Sequence, residues 1–244
     1  MAGNWKMYKT CPETAAFFEK FRSMVADPER AEIVICPPFP NLSAAVAACD
    51  GMGIHIGAQN LYWAREGAFT GEVSAGMLRA VGCTWVIVGH SERRQYFGET
   101  DQSVLKKTIA ALEDGLTPIV CVGERLEERE AGRTEAVLIS QFENGIRGLS
   151  PEQFAHIVIA YEPVWAIGTG KTATPEIAAD AHRLLRAQAR TAFGEQAADR
   201  VRILYGGSVK PDNTKSLMEQ PEIDGVLVGG ASLDPASFAL IVNF

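Results

Sequence analysis

Seven short apolar runs, almost unbroken and rich in β-branched residues, recur along the whole chain. They are Ile33–Cys36, Ile54–Ala58, Trp85–Val88, Pro118–Val122, Ile157–Tyr161, Val201–Tyr205 and Gly225–Val228. A strand with one wet face alternates apolar and polar residues, and these do not. Continuous apolarity is the pattern of parallel strands buried on both faces. Met1–Lys6 reads as an eighth, shortened run.

Between the runs lie amphipathic helical stretches. Glu13–Met24 is apolar at positions 17, 18, 21 and 24. Ser103–Leu112 follows Asp101, which reads as its N-cap. Pro175–Phe193 starts with Thr174-Pro175, an N-cap followed by Pro at the first helical position. Pro211–Met218 and Pro235–Val242 repeat the Pro start. Eight strands in 244 residues give about 30 residues per strand–helix unit. That count suits a closed (β/α)8 barrel or an open doubly wound sheet. The open sheet calls for a GxGxxG turn after its first strand. Here Gly3-Asn4-Trp5-Lys6 stands there instead. No Pro-, Gly- or Ser-rich linker interrupts the chain. The reading is therefore α/β, one (β/α)8 domain over residues 1–244 with eight parallel strands.

Composition removes other classes. Net charge is −7, so no basic face for nucleic acid or an anionic membrane is expected. No apolar run reaches the roughly 18 residues of a membrane span. The start lacks a basic-then-apolar leader, so secretion is not expected. The five cysteines show no CxxC spacing and the four histidines no HxxxH or HExxH pattern. Scattered thiols suit a reducing cytoplasm, and nothing calls for a metal or another cofactor.

In such a barrel the chemistry sits where strands end and the following loops begin. Asn4 and Lys6 follow run one, Gln59 and Asn60 run three, and His90 to Arg94 run four. Gly123-Glu124 follows run five, and Glu124–Glu130 reads as a solvated charge run entering a helix. Glu162 follows run six. A carboxylate under an apolar cover has its pKa pushed upward and can serve as a base; the bland reading is a solvated loop acid. His90 precedes a helix start with Ser91 as N-cap, where the dipole disfavours its charged form. Lys6 at the end of a buried strand needs an anion, either a substrate or a carboxylate such as Glu92. Arg93 and Arg94 read as salt-bridge or interface residues. Gly206-Gly207-Ser208 and Gly229-Gly230 are tight turns that can also cradle a phosphate. The segment after Glu162 reads as a lid or a plain long loop. It is no P-loop, since GxxxxGK needs Gly where Trp165 stands.

Five segments together resemble the triosephosphate isomerase family, in order and across essentially the whole chain. They are residues 3–7 (GNWKM), 89–94 (GHSERR), 160–170 (AYEPVWAIGTG), 205–209 (YGGSV) and 228–233 (VGGASL). The resemblance implies that Glu162 moves a proton between C1 and C2 of dihydroxyacetone phosphate. It implies that neutral His90 polarises the carbonyl, Lys6 supplies positive charge and Asn4 orients the oxygens. Glu92 would pair with Lys6 and assist proton transfer. Backbone N–H groups of Gly168, Ser208, Gly229 and Gly230 would grip the phosphate, and Ile167 and Leu227 would clamp Glu162 in a dry pocket. It further implies a cytoplasmic homodimer in which loop 67–72 carries Thr70 to the partner subunit's Asn4.

Only Met1 precedes the Ala-Gly-Asn-Trp-Lys segment, so weakened closure between runs one and eight is expected. Two other readings stand beside the isomerase. One is another phosphate-binding barrel enzyme, an epimerase, isomerase or Schiff-base aldolase, for which Lys6 is the candidate amine. The other is a non-catalytic surface-binding protein with a relic site.

Overall fold

A computed structural model describes residues 1–27, 30–167 and 172–244. The strands are β1 Ala2–Asn4, β2 Ile33–Cys36, β3 Ile54–Ala58, β4 Trp85–Val88, β5 Thr117–Val122, β6 Val158–Tyr161, β7 Arg202–Tyr205 and β8 Gly225–Val228. They close in sequence order into a barrel, and each neighbouring pair is parallel. The expected weakness at the first strand is not there. Ala2, Gly3 and Asn4 pair with β2, and Ala2 and Gly3 pair with Leu227 and Val228 of β8.

Two apolar layers explain why the runs do not alternate. Ala2, Val34, Trp85, Ile87, Ile119, Cys121, Val158, Ala160, Leu204 and Leu227 form one buried cluster. Residues contributed by every strand but β3 can meet only inside the ring. The intervening residues, such as Val86, Val88, Val120 and Ile159, belong to a larger cluster under the helices. Each strand thus needs apolar side chains on both faces.

The helices are α1 Cys11–Phe21, α2 Leu42–Ala48, α3 Ala75–Val81, α4 Ser91–Tyr96, α5 Asp101–Glu113 and α6 Leu126–Glu130. They continue with α7 Thr134–Gly145, α8 Pro151–Phe154, α9 Pro175–Phe193, α10 Glu195–Arg200, α11 Pro211–Met218 and α12 Pro235–Val242. The Pro-initiated helices α9, α11 and α12 hold their expected bounds. Helix α1 starts earlier than expected, because Glu13 accepts the Thr10 N–H at 2.7 Å and caps the first turn. Two caps differ. Thr100, not Asp101, precedes α5, its hydroxyl accepting the Ser103 N–H at 3.3 Å. His90, not Ser91, caps α4, its Nδ1 accepting the Glu92 N–H at 3.2 Å.

Cys36, Cys49, Cys83 and Cys121 are buried free thiols and Cys11 is exposed. Burial pushes the Cys83 thiol up to about 11. No helix among the described residues is long and apolar enough to cross a membrane, and no group of three or more His, Cys, Asp or Glu among them is placed to hold a metal.

Candidate active site

Strand parity aims the first two groups. Ala2 points into the barrel, so Asn4 does too; Val158 and Ala160 point in, so the next in step is Glu162. The Glu162 N–H donates to Val122 O at 2.7 Å, extending the ladder one residue past β6. Two glycines make this position habitable. A Cβ on Gly123 would lie 1.7 Å from Glu162 O, and one on Gly206 would lie 2.9 Å from Glu162 Cγ. Beyond β4, Gly89 takes φ +74°, turning the chain so that His90 faces the same mouth. The Arg94 guanidinium fixes that turn, donating to Gly89 O at 2.7 Å and Cys121 O at 3.1 Å while pairing with Asp101 at 2.5 Å.

Glu162 is 2% exposed, so the solvated-loop reading fails. Its Oε1 lies 2.8 Å from His90 Nε2 and 3.3 Å from Ser91 Oγ, and its Oε2 accepts the Ser91 N–H at 2.9 Å. The expected upward pKa shift is also corrected. Burial does raise it, but the charge and hydrogen bond of His90, the Ser91 N–H and Lys6 together hold the carboxyl below its ordinary range. For His90, burial opposes the charged form, and the Glu162 carboxylate outweighs it and raises the imidazole. In the neutral form of the ring Nδ1 accepts from the Glu92 N–H, which leaves the proton on Nε2, facing Glu162.

Lys6 Nζ pairs with Glu92 Oε1 at 2.5 Å, as expected. Its backbone is strained, with φ +51°, a conformation that costs a side-chain-bearing residue of order 1–3 kcal/mol. Two polar contacts offset that cost. The Lys6 N–H donates to Asn4 Oδ1 at 2.9 Å, and Gln59 Nε2 donates to both Lys6 O and Cys36 O at 2.8 Å.

These groups border a cavity of about 360 Å³ at the carboxyl ends of the strands. Asn4, Lys6, His90, Glu162, Ile167, Ser208, Leu227, Gly229 and Gly230 all line it. Gly168 and the rest of 168–171 lie outside the described residues. Glu92 reaches the site through Lys6, whereas Thr70 is exposed on a separate loop. Tyr8 and Lys210 also line the cavity, four and five residues past the ends of β1 and β7. Gln59 was noted only for its place after run three. The roles of Gly123 and Gly206 depend on contacts between strands, which one strand's sequence does not carry.

Glu124 corrects the charge-run reading. It is fully buried, and its Oε1 accepts from Trp165 Nε1 at 2.9 Å, Tyr161 Oη at 3.1 Å and Arg129 at 3.3 Å. Trp165 thus anchors the start of the loop by its polar edge. Only Leu126–Glu130 of the run is helix.

The family model for triosephosphate isomerase matches residues 1–244. The chain belongs to the triosephosphate isomerase family. A triosephosphate isomerase of Solibacter usitatus is 73% identical over 244 residues, covering 100% of this chain and 98% of the relative. Triosephosphate isomerases of Citrifermentans bemidjiense and Moorella thermoacetica are each 55% identical over 244 residues, covering 100% of this chain and 97% of each relative. As a triosephosphate isomerase family member the chain is an aldose–ketose isomerase, an intramolecular oxidoreductase. The Schiff-base reading also meets a chemical obstacle, since Lys6 is the cation of an ion pair and that route needs an uncharged amine.

Proposed function

We propose that the chain interconverts dihydroxyacetone phosphate and D-glyceraldehyde 3-phosphate through an enediolate, with Glu162 as the base. The observation that carries the residue assignment is the 2.8 Å approach of His90 Nε2 to Glu162 Oε1 at the edge of a cavity that Lys6 also lines. A triose phosphate entering there separates the pair. Glu162 then loses the largest of the influences that lower its pKa, that of His90, while burial continues to raise it, so its basicity increases on binding. Glu162 takes the C1 proton, and the C–H electron pair moves toward the C2 oxygen. His90 donates its Nε2–H to that oxygen, passes a proton between O1 and O2, and Lys6 balances the charge. Glu162 then returns its proton to C2. Asn4 orients the oxygens, Glu92 holds Lys6, and Ile167 and Leu227 keep water from the substrate side of the carboxylate.

The phosphate would rest on the N–H groups of Ser208, Gly229 and Gly230, with Gly168 completing the grip. Gly229 precedes a short 3₁₀ turn, Gly230–Leu233, whose first N–H groups are unused by the turn itself. A Cβ on Gly230 would meet nothing within 4 Å, and the closest approach to one on Gly229 is Lys6 Cε at 3.4 Å, so the surface is open to an anion. The test is a coupled assay of pure protein, with phosphoglycolate as competitor. Interconversion blocked competitively is expected; folded protein without turnover overturns the reading.

The same reading extends to a cytoplasmic homodimer of 1–244 barrel domains. Loop 67–72 folds on itself, the Glu72 N–H donating to Phe69 O at 3.0 Å, and packs Phe69 at 4.6 Å from Tyr62, which stacks on Trp63 at 4.1 Å. Thr70 is exposed on this loop, and in the proposed dimer it would reach the partner subunit's Asn4. Met7, Tyr96 and Phe97 are 92%, 67% and 68% exposed in one subunit, and apolar exposure of that degree favours burial against a second copy. Four buried free thiols suit a reducing compartment.

A further inference from the structure

A second cavity, also about 360 Å³, lies behind Glu162. Ser91, Gln95, Gly123, Arg125 and Glu128 are among its walls. Among the lining residues of the two cavities, Glu162 alone is common to both. The carboxylate therefore stands as a partition. On the front side it is held by His90, which lines only the front cavity; on the rear side it is held by Ser91, which lines only the rear one. The rear cavity opens toward solvent past Gln95 and Arg125, both exposed. Liquid water occupies about 30 Å³ per molecule and needs polar partners, and Ser91, Gln95, Arg125 and Glu128 supply them.

We propose that this rear cavity is the port through which the proton carried by Glu162 exchanges with solvent during turnover. The inference rests on the assignment of Glu162 as the base. After abstraction Glu162 is a carboxylic acid, and the substrate fills the front cavity. In D2O the acid O–H exchanges with a water at the rear, giving an acid O–D and HDO. The deuteron is then delivered to C2, and one C–H bond has been replaced by one C–D bond with no other change. Ser91 Oγ, 3.3 Å from Oε1, stands on the path. Return of the original proton and exchange through the port thus compete for the same intermediate.

The test converts dihydroxyacetone phosphate in D2O, traps the aldehyde by oxidation, and reads protium against deuterium at C2 by proton NMR. Gln95→Trp narrows the mouth and Gln95→Ala widens it, and neither touches Glu162. The expected result is a protium fraction at least twofold higher in Gln95→Trp than in Gln95→Ala, with kcat/KM of both within about twofold of the parent. Equal fractions at full turnover overturn the port while leaving the base in place. Absence of turnover in the parent protein overturns the base and the port together.

Discussion

Adding one methyl group at either glycine beside the base should damage catalysis, by amounts that the two contacts rank. In Gly123→Ala the new Cβ would lie 1.7 Å from the Glu162 carbonyl oxygen, where ordinary contact begins at 3.4 Å. Backbone on both sides must separate by well over 1 Å. Gly123 is itself clamped, its N–H donating to Gln141 Oε1 at 2.7 Å and its O accepting from Gln141 Nε2 at 3.1 Å, so the movement falls largely on Glu162. Misplacing a catalytic group by about 1 Å costs on the order of a hundredfold, and kcat should fall by at least that. In Gly206→Ala the conflict is 2.9 Å with Glu162 Cγ, a side-chain atom that needs to yield about 0.5 Å, so a loss of about tenfold is expected. Steady-state kinetics, with circular dichroism to confirm folding, measures both. Parental kcat in Gly123→Ala, or a greater loss in Gly206→Ala, refutes the reasoning.

Three further outcomes follow from the same geometry. Glu162→Asp withdraws the carboxylate by roughly one bond length, and kcat should drop at least about a hundredfold; an unchanged kcat removes Glu162 from its role. His182 is buried, and desolvation lowers its pKa to about 3 despite the Glu222 carbonyl at 3.1 Å. The unfolded chain therefore binds the extra proton first, and stability falls as pH drops from about 6.5 toward about 3, by up to about 1.4 kcal/mol per unit. Denaturant melts of His182→Asn should show a flatter slope in that window, and an identical slope contradicts the assignment. Thr70→Arg should leave the barrel folded but shift its size-exclusion profile toward monomer; an unaltered dimer at micromolar concentration counts against the loop as the contact.

Seven strands were readable to within a residue, and the first to within two, because the barrel buries both faces of each strand, which writes itself as unbroken apolarity. The site was readable for a related reason. Asn4, Lys6, His90 and Glu162 are polar groups at the ends of apolar runs, where only chemistry or a partner explains them. What one strand's sequence does not carry is contact between strands. Glu124 lies in a run of charges yet is buried, because Trp165, Tyr161 and Arg129 converge on it from elsewhere. The pKa of Glu162 moves opposite to the expectation from burial because His90, from a different strand end, reaches it. The shift of the α4 cap from Ser91 to His90 has the same origin, since the histidine ring must be placed before its acceptor role shows.

The proposed role of Glu162, as the one group that moves the proton at C1, is read in deuterium incorporation into dihydroxyacetone phosphate in D2O, followed by NMR at C1. One of the two C1 positions should label with the parent protein, and Glu162→Gln should label neither at a comparable rate. Equal labelling of both positions, or parental labelling by Glu162→Gln, would contradict it.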